Sequence, residues 1–476
     1  VISVADKDKT IFVDVTVKNN DSSIMAGKDV VQLYFTAPYI DGKVEKAHVV
    51  LGDFAKTDLL QPGDEDTVTL ELRLSDTASY DYSDANTNGE KTYEADGGEN
   101  AGYMLRIGRN AHDSWASDSW SFGYSLEEDF IYDTDSATGH EVENLFDDVS
   151  GHIGQYLSRS DWDDTFPTMP DPNGTETTAE IIDGLTMEAY VGSGDELDEG
   201  KKWYNATRPR QQRTELSRNE TEVKLYDMIG LDYEDKLWDR LLNQLTVRQM
   251  CDLVGTGNFN TMAIDNIDKP KTIDPDGPAG FTNFMTAIDA IAVVYDTCFY
   301  AGECVIGATW NKDLAYDMGV AVGNESLAGN ERDDGRPYSG WYAPAVNIHR
   351  SQFSGRNWEY YSEDGTLSGK MAARVVQGAK SKGVYTFVKH FAVNDQETHR
   401  DTNGLITWLN EQSMREIYLK PFEYTVKEGK TTAMMSSFNR LGTVWAGGSY
   451  ELLTELLRDE WGFRGTVITD YATGTY

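Results

Sequence analysis

Residues 383–470 repeat one unit, in which a short run of β-branched and aromatic residues leads into a long amphipathic stretch. The runs are GVYTFVKHFAV, TTAMMSSF and RGTVITD, centred near residues 388, 434 and 468, so they lie 46 and 34 residues apart. Between them, LNEQSMREIYLKPFEYTVKEG and YELLTELLRDEWG have the apolar spacing of helices. Strands and helices alternating at this interval are typical of parallel strands joined by right-handed crossovers.

The α/β pattern begins near residue 234, with the helical spacing of EDKLWDRLLNQL and a capping box formed by Thr246 and Gln249. The remaining length suits a closed barrel. We therefore predict a (β/α)8 TIM-type barrel over residues 234–476, with a doubly wound sheet as the alternative. Because the chain stops six residues after RGTVITD, we expect the barrel to lack its last unit, at its C-terminus.

The first part of the chain has a different periodicity. KTIFVDVTV and DTVTLELRL alternate apolar and polar residues, and QPGDED supplies a turn between such runs. Short alternating strands separated by turns predict an antiparallel β-sandwich over residues 1–125. Residues 126–233 are acidic and aperiodic but carry scattered aromatic residues. We interpret them as a linker that wraps against a neighbouring domain.

Charge and composition exclude several classes of partner. The formal net charge is −38, which argues against nucleic acid and against anionic membranes as binding partners. No apolar run is long enough for a membrane span, and no signal peptide is recognisable, so a secreted and a cytoplasmic location both remain open. The three cysteines lack a disulfide or metal spacing, and we expect them to be buried.

Polar residues cluster where the predicted strands end. Active sites of (β/α)8 barrels lie at the C-terminal ends of the strands, so these side chains are expected to meet. Taken singly, each has an ordinary structural explanation, such as a turn at DGPAG or a salt-bridged loop at GRNWEYYSED. The candidates from strand ends and from the Gly- and Arg-containing loops are Asp276, Arg356, Lys389, His390, Arg400, Met435 and Asp470.

The residue types in this set limit the chemistry that it can perform. It has no metal-ligand spacing, no glycine-rich phosphate loop and no serine nucleophile elbow, so we predict neither a metal nor an organic cofactor. Carboxylates, cations and aromatic residues remain. They suit a neutral polyhydroxylated ligand, whose hydroxyls need charged hydrogen-bond partners and whose ring faces need apolar walls. We therefore expect a carbohydrate substrate.

The motifs DGPAG, NIHR…GRNWEYYSEDG, VKHFAVNDQETHR, MMSSFNR and DEWGFRGTVITDY together resemble glycoside hydrolase family 3, particularly its β-glucosidases. The segment from GKDVVQLYF to GDEDTVTL is similar to the fibronectin type III-like domain of the same family. In this chain that domain precedes the barrel, as in a subgroup with inverted domain order. The resemblance implies a fibronectin type III-like sandwich followed by the catalytic barrel.

The resemblance also implies roles. Asp470 matches the nucleophile of a retaining, exo-acting hydrolase that releases terminal β-D-glucose through a glycosyl-enzyme, and Asp276 matches the carboxylate that binds sugar hydroxyls. The remaining sugar-binding matches are Arg356, Lys389, His390, Arg400 and Met435. Three positions depart from the family pattern: Thr282 replaces an arginine, Phe438 replaces a tyrosine that orients the nucleophile, and Tyr471 replaces a tryptophan.

The acid/base partner is not assigned within the chain. In the family it comes from an α/β sandwich domain, so we expect that domain to belong to a longer polypeptide or to another chain. Glu359, Glu363 and Glu397 are in-chain candidates that we interpret as structural partners of nearby cations. Three alternatives stay open: a β-xylosidase or other exo-specificity, a non-catalytic carbohydrate-binding relative, and a homo-oligomeric rather than monomeric state.

Overall fold

The computed structural model places a mainly antiparallel β region, in which only the described β1–β9 pairing is parallel, ahead of a parallel α/β region. It describes residues 2–20, 25–98, 101–113, 120–153, 155–162, 177–185, 222–255, 259–282, 297–330, 338–400 and 404–470. None of the helices within these ranges is both long and apolar enough to cross a membrane.

The β region is built from one larger sheet and two smaller ones. The larger sheet has the strand order β1-β9-β8-β3-β4, a second sheet has the order β10-β7-β6, and β2 pairs with β5. The ten strands are β1 (Ile2–Val4), β2 (Thr10–Lys18), β3 (Val30–Thr36), β4 (Val50–Lys56), β5 (Glu65–Arg73), β6 (Ser79–Tyr80), β7 (Tyr93–Ala95), β8 (Gly102–Gly108), β9 (Ser121–Leu126) and β10 (Phe130–Tyr132).

Side-chain alternation explains how these sheets share one core. On β5, Leu70 and Leu72 are fully buried while Glu71 between them is exposed, as the two-residue period of a strand requires. They pack in one cluster with Leu33 of β3 and Leu105 of β8. Strand β10 lies beyond residue 125 and pairs with β7, so the sheets continue past the predicted sandwich boundary. The boundaries at 125 and 233 otherwise stay predictions.

A parallel sheet forms the second region. Its strand order is β11-β12-β14-β17, and every pairing in it is parallel. Parallel bridges from Ile273 to Tyr338 and from Asp276 to Tyr342 add the segment that ends at Asp276. The strands are β11 (Gly340–Trp341), β12 (Tyr385–Phe391), β14 (Ala433–Ser436) and β17 (Thr466–Thr469), and a small separate sheet holds β13 (Ile406–Thr407), β15 (Arg440–Leu441) and β16 (Val444–Trp445).

The three strands predicted near residues 388, 434 and 468 are therefore confirmed as parallel neighbours. Closure into an eight-stranded barrel and the absence of its last unit remain predictions, because the described strands form a continuous part of a parallel sheet. Val388 of β12 and Met434 of β14 are fully buried in the core that this sheet shares with its helices.

Helices cover this sheet and connect its strands. The α-helices are Ala179–Leu185, Leu237–Leu242, Val247–Gly255, Glu303–Ala308, Lys312–Asn330, Gly365–Lys380, Glu411–Ser413 and Lys420–Lys427. Short 3-10 turns are Leu74–Thr77, Asp147–Val149, Leu225–Met228, Asp265–Ile267, Asn357–Glu359 and Ala446–Gly448. Met414–Tyr418 and Glu451–Glu460 have π-type hydrogen bonding. The predicted capping box is present, because Thr246 N–H donates to Gln249 and Gln249 N–H donates to Thr246.

The sequence pattern over residues 409–429 predicts one continuous helix, and the structure divides it. A π-type turn at Met414–Tyr418 separates two α-helical pieces, and Leu419 N–H donates to Met414 O at 2.8 Å. The second piece restarts with Pro421 in its first turn. Proline has no backbone N–H to donate, so the regular bonding pattern is interrupted there.

Ion pairs connect the sandwich to the helices of the parallel region. Asp53 of β4 is only 4% exposed, and Lys312 and Lys370 place their ammonium groups 3.0 and 2.7 Å from its carboxylate. Within the parallel region itself, buried Arg415 binds Glu411 and Glu460, both at 2.8 Å. Paired buried charges fix the relative position of the elements that carry them. The expectation of buried cysteines is wrong: Cys251 and Cys298 are exposed, and Cys304 is half-buried.

Candidate active site

Six of the predicted site residues meet at the C-terminal edge of the parallel sheet. Asp276 ends one extended segment, Lys389 and His390 lie near the end of β12, and Asp470 directly follows β17. Arg356 and Arg400 reach the same place from the loops that follow neighbouring strands. Residues up to almost two hundred positions apart in the sequence thus meet where the strands end, as predicted.

Lys389 and Asp276 form the ion pair at one side of the site. Lys389 Nζ lies 2.7 Å from Asp276 Oδ1 and 4.0 Å from Glu359, and its side chain is only 4% exposed. Burial acts to lower the pKa of Lys389, but the Asp276 and Glu359 carboxylates raise it above its usual value. For Asp276, desolvation acts to raise the pKa, and the Lys389 ammonium overcomes this and holds it below its usual value. Both groups are therefore charged at neutral pH.

A tight loop positions the Asp276 carboxylate. Gly277 adopts φ +134°, and a Cβ at this position would lie 2.0 Å from Gly280 O, so the turn requires glycine. Thr282 closes the loop, because its N–H and hydroxyl both donate to Asp276 O, at 2.8 and 3.0 Å. Trp341 Nε1 donates to Gly277 O at 2.6 Å from the neighbouring strand. The residue that departs from the family pattern here, Thr282, thus has a structural role in the loop.

His390 is a neutral hydrogen-bonding group in this structure. Its side chain is 2% exposed, and burial together with the cations of Arg356 and Lys389 holds its pKa well below the usual value. Arg356 Nη2 lies 2.6 Å from His390 Nε2, which suits a tautomer in which Nε2 accepts. The backbone of His390 is held on both sides by Asn347, which accepts from its N–H at 2.7 Å and donates to its carbonyl at 2.9 Å.

Asp470 lies between an arginine and this neutral histidine. Arg400 Nη1 is 3.5 Å and His390 Nε2 is 3.7 Å from Asp470 Oδ2. The Asp470 N–H donates to Ser436 O on the adjacent strand at 3.1 Å, which fixes the start of the loop. The Asp470 side chain keeps 14% exposure, so its carboxylate is only partly buried.

The three predicted apolar residues of the site, Met435, Phe438 and Tyr471, have different surroundings. Arg400 places its guanidinium 4.4 Å from the centre of the Phe438 ring, so Phe438 supports a cation that neighbours Asp470. Met435 is 4% exposed and packs with Phe387 and Tyr342 beneath the polar cluster. Tyr471 lies outside the described residues.

The three in-chain acid candidates are separated by the structure. Glu359 binds Arg356 and lies near Lys389. Glu397 binds Arg400 at 2.7 Å and lies 3.8 Å from Arg356. Both carboxylates are thus occupied by cations, as the sequence interpretation expected. Glu363 is exposed and lines a cavity between the sandwich and the helices instead.

Two residues beside the site escaped the sequence analysis. Asn347, which holds His390, is the first residue of the NIHR motif, three positions before Arg350. Its place in that motif was the sequence feature that could have identified it. Glu303 is 1% exposed beside Ala345, whose N–H lies 3.5 Å from it. Its Oε2 has no hydrogen-bond partner among the described residues. The sequence feature that could have identified Glu303 is that it is the one acid in the otherwise apolar helix ECVIGA.

Glu303→Gln is expected to change the pH dependence of stability. Burial, and then the nearby Glu359 charge, raise the pKa of Glu303 well above its usual value. The folded chain therefore keeps this proton at pH values at which the unfolded chain has lost it, so the stabilisation is complete below the unfolded pKa and declines as pH rises. The decline attributable to one such group is about 1.4 kcal/mol per pH unit.

Urea unfolding at pH 5, 6 and 7 measures this effect. The free energy of unfolding of Glu303→Gln should fall less with pH than that of the unsubstituted protein. Glu90→Gln removes a carboxylate from an exposed position of the sandwich and serves as the matched control. Equal pH slopes for Glu303→Gln and the unsubstituted protein would show that Glu303 ionises normally.

The arrangement can bind a neutral, hydroxyl-rich ligand and can present a nucleophile to it. Three cations alternate with four carboxylates, so donors and acceptors are both available while little net charge accumulates. No group of three or more histidines, cysteines or acids is placed to hold a metal ion in the described part of the chain. The four carboxylates are those of Asp276, Glu359, Glu397 and Asp470, and the cations are Arg356, Lys389 and Arg400.

Known proteins share both regions of this chain. Residues 292–474 match the model of the glycosyl hydrolase family 3 N terminal domain, and residues 29–96 match the fibronectin type III-like domain. Beta-glucosidase A of Butyrivibrio fibrisolvens is 32% identical over 98% of this chain, and the match covers 52% of that protein. A beta-glucosidase of Ruminococcus albus is 31% identical over 98% of this chain and 43% of its own length.

A solved structure gives the same result for the fold. The crystal structure of a beta-glucosidase from Paenibacillus barengoltzii has a TM-score of 0.70 and 28% identity, and the match covers 98% of this chain and 46% of that one. The chain thus spans about half the length of the relatives that it matches from end to end. The predicted order, with the fibronectin type III-like domain first, is confirmed. Residues 292–474 of this chain thus form a glycosyl hydrolase family 3 N-terminal domain, and a fibronectin type III-like domain precedes it.

Proposed function

We propose that this chain provides the nucleophile and the sugar-binding groups of a retaining, exo-acting glycoside hydrolase that releases terminal β-D-glucose. The observation that carries the proposal is the position of Asp470 at the end of β17, within 3.7 Å of both Arg400 and His390. The Lys389–Asp276 ion pair lies beside it at the same strand edge. A carboxylate held among hydroxyl-binding groups is the arrangement that this reaction needs.

Asp470 would attack the anomeric carbon and form the glycosyl-enzyme. Its charge matters for this step, since only an ionised carboxylate is a nucleophile, and the Arg400 guanidinium 3.5 Å away favours the ionised form. Because His390 is neutral and accepts from Arg356, it positions that guanidinium without acting as a counter-ion of the nucleophile.

The ion pair of Asp276 and Lys389 suits recognition of sugar hydroxyls. The Asp276 side chain is 41% exposed while its partner is buried, so the carboxylate faces the open site and the lysine braces it from behind. Arg356 adds donors next to His390. Met435 and Phe438 are 4% and 6% exposed, so they would shape the site mainly through the groups that they support, and Tyr471 would supply an apolar wall for a ring face of the sugar.

The acid/base would come from a partner domain. Glu359 and Glu397 are both bound to arginines, so neither is a ready proton donor. A carboxylic acid on an α/β sandwich domain, in the same polypeptide or another chain, would protonate the leaving oxygen and later activate water. A retaining pair requires its carboxyl groups about 5–5.5 Å apart, so that domain would have to approach Asp470 closely.

Relatives support the choice of sugar. The relatives named above are beta-glucosidases, and they match this chain over both of its regions. Since the chain spans about half of their length, the activity of the whole protein is a proposal.

Covalent labelling tests the proposal. Incubating the native protein with a 2-deoxy-2-fluoro-β-glucoside that carries a good leaving group should trap a glycosyl-enzyme, because the fluorine slows its hydrolysis more than its formation. Peptide mass spectrometry is expected to find the label on Asp470. The Asp470→Asn variant is the control and should remain unlabelled. A label on another residue, or faster turnover of an aryl β-xyloside than of the aryl β-glucoside, would contradict the assignment or the sugar preference respectively.

A further inference from the structure

A cavity lies away from the candidate active site, between the β-sandwich and the helices of the parallel region. Its volume is about 760 Å³, within the range of small-molecule binding sites. None of the six polar site residues around Asp470 lines it. Strand β4, the segment 156–162 and the beginnings of two helices of the parallel region contribute its walls.

One wall carries aromatic side chains. Tyr82 and Tyr156 contact each other edge to face with ring centres 6.4 Å apart, and both line the cavity. Trp162 lines it too and remains 46% exposed. Such partly exposed rings offer flat apolar faces next to water, an arrangement that suits the apolar faces of a pyranose ring.

This aromatic wall is held in place by the sandwich. Arg159 N–H donates to Glu45 Oε1 at 2.7 Å, and the Arg159 guanidinium lies 4.5 Å from the centre of the Tyr39 ring. Ser158 donates to the same carboxylate at 2.9 Å. The segment between Tyr156 and Trp162 therefore has a built anchor on the sandwich, so the rings face the cavity in a defined position.

Polar side chains line the cavity as well. Glu363 is exposed there, and no ion pair is found for it among the described residues. Asn410 and Ser413 are also part of the lining. A carboxylate, an amide and a hydroxyl in the same cavity as aromatic rings supply hydrogen-bond partners for hydroxyl groups.

The charge of the lining favours a neutral ligand. Among the described residues, five lysines or arginines and six acids line the cavity, so neither sign dominates. Burial raises the pKa of Asp364 to about 6 and that of Glu416 to about 7, which reduces the negative charge further at weakly acidic pH. An anionic or cationic ligand would find no matching excess of charge.

We propose that this cavity is a second carbohydrate site, which binds a neutral oligosaccharide through the aromatic side chains of Tyr82, Tyr156 and Trp162 and the carboxylate of Glu363. It binds sugar without cleaving it, because Asp470 and its neighbours do not line it. The inference goes beyond the proposed hydrolysis and stands on a different set of residues.

The test separates the two sites by working in an Asp276→Ala background, in which binding at the candidate active site is weakened. Ligand-observed NMR titration with cellotriose is expected to show saturable binding that persists in this background. Adding Trp162→Ala should raise the dissociation constant about tenfold, because aromatic anchors dominate such contacts. Trp120→Ala is the matched control, since Trp120 is 47% exposed but lies on the sandwich outside the cavity.

Glu363→Gln provides a second variant at an exposed position and should also weaken binding. Loss of all saturable binding in an Asp276→Ala protein that keeps the circular dichroism spectrum of the unsubstituted protein would mean that the active site alone binds the sugar, which overturns this inference and leaves the proposed hydrolysis standing. Equal dissociation constants for the Trp162→Ala and Trp120→Ala proteins would also overturn it.

Discussion

Asp470→Asn is expected to lower kcat for an aryl β-glucoside by at least about 10³-fold, because loss of a nucleophile that acts in a covalent step removes most of the catalytic advantage. The amide has nearly the same shape as the carboxylate but is not nucleophilic. KM should change much less than kcat, since the proposed sugar-binding groups, Asp276, Lys389 and the arginines, are retained.

Stability measurements distinguish this outcome from unfolding. Arg400 keeps Glu397 at 2.7 Å when the Asp470 charge is removed, so the thermal midpoint should change little. Asp313→Asn is the matched control, because its carboxylate is 90% exposed and lies on the Lys312–Asn330 helix. Retention of kcat within tenfold by Asp470→Asn would place the nucleophile on another residue.

Lys389→Met is expected to reduce the free energy of unfolding by about 3–5 kcal/mol, the range found when one partner of a buried ion pair is removed. The Lys389 side chain is 4% exposed, and so is that of Glu359, which would retain only Arg356 as its nearby cation. The same variant should lose activity towards β-glucosides, because Asp276 loses the ammonium group that positions it.

Urea unfolding of a double-variant cycle measures how much of this effect belongs to the pair. Asp276→Asn removes the charge that Lys389→Met leaves behind, so the double variant should be more stable than the sum of the single losses predicts. Lys18→Met is the control: its 2.6 Å ion pair with Glu65 is about half exposed, and its loss should cost under about 1 kcal/mol. A Lys389→Met loss no larger than that of Lys18→Met would contradict the buried-pair interpretation.

Local periodicity explains why the strands were predictable. β12 and β14 are runs of buried residues, and burial of consecutive residues needs no information beyond the run itself. β17 is half-buried at Val467 and Ile468 and exposed at its two threonines, and its β-branched residues were the signal for a strand. The division of the helix at Met414–Tyr418 was missed, because tertiary packing and Pro421 together override a continuous amphipathic pattern.

Strand topology explains how much of the site was predictable. Parallel strands end at one edge, so Lys389, His390 and Asp470 were expected to meet, and they do. Strand topology does not predict where the side chains of loop residues lie. That Glu397 would stand between Arg400 and Arg356 depends on how two loops fold over the sheet, and loop conformation has no short-range period.

The sequence by itself determined the two kinds of secondary structure, the domain order and the residue types gathered at the strand ends, because each depends on periodicity or on motifs within a short stretch of chain. The tertiary structure alone decided which charges are paired and which groups are neutral. His390 loses its charge and Glu303 keeps its proton because both are buried beside particular neighbours. Desolvation and Coulomb energies depend on distances in space, and the cavity beside Trp162 exists only where distant segments pack together.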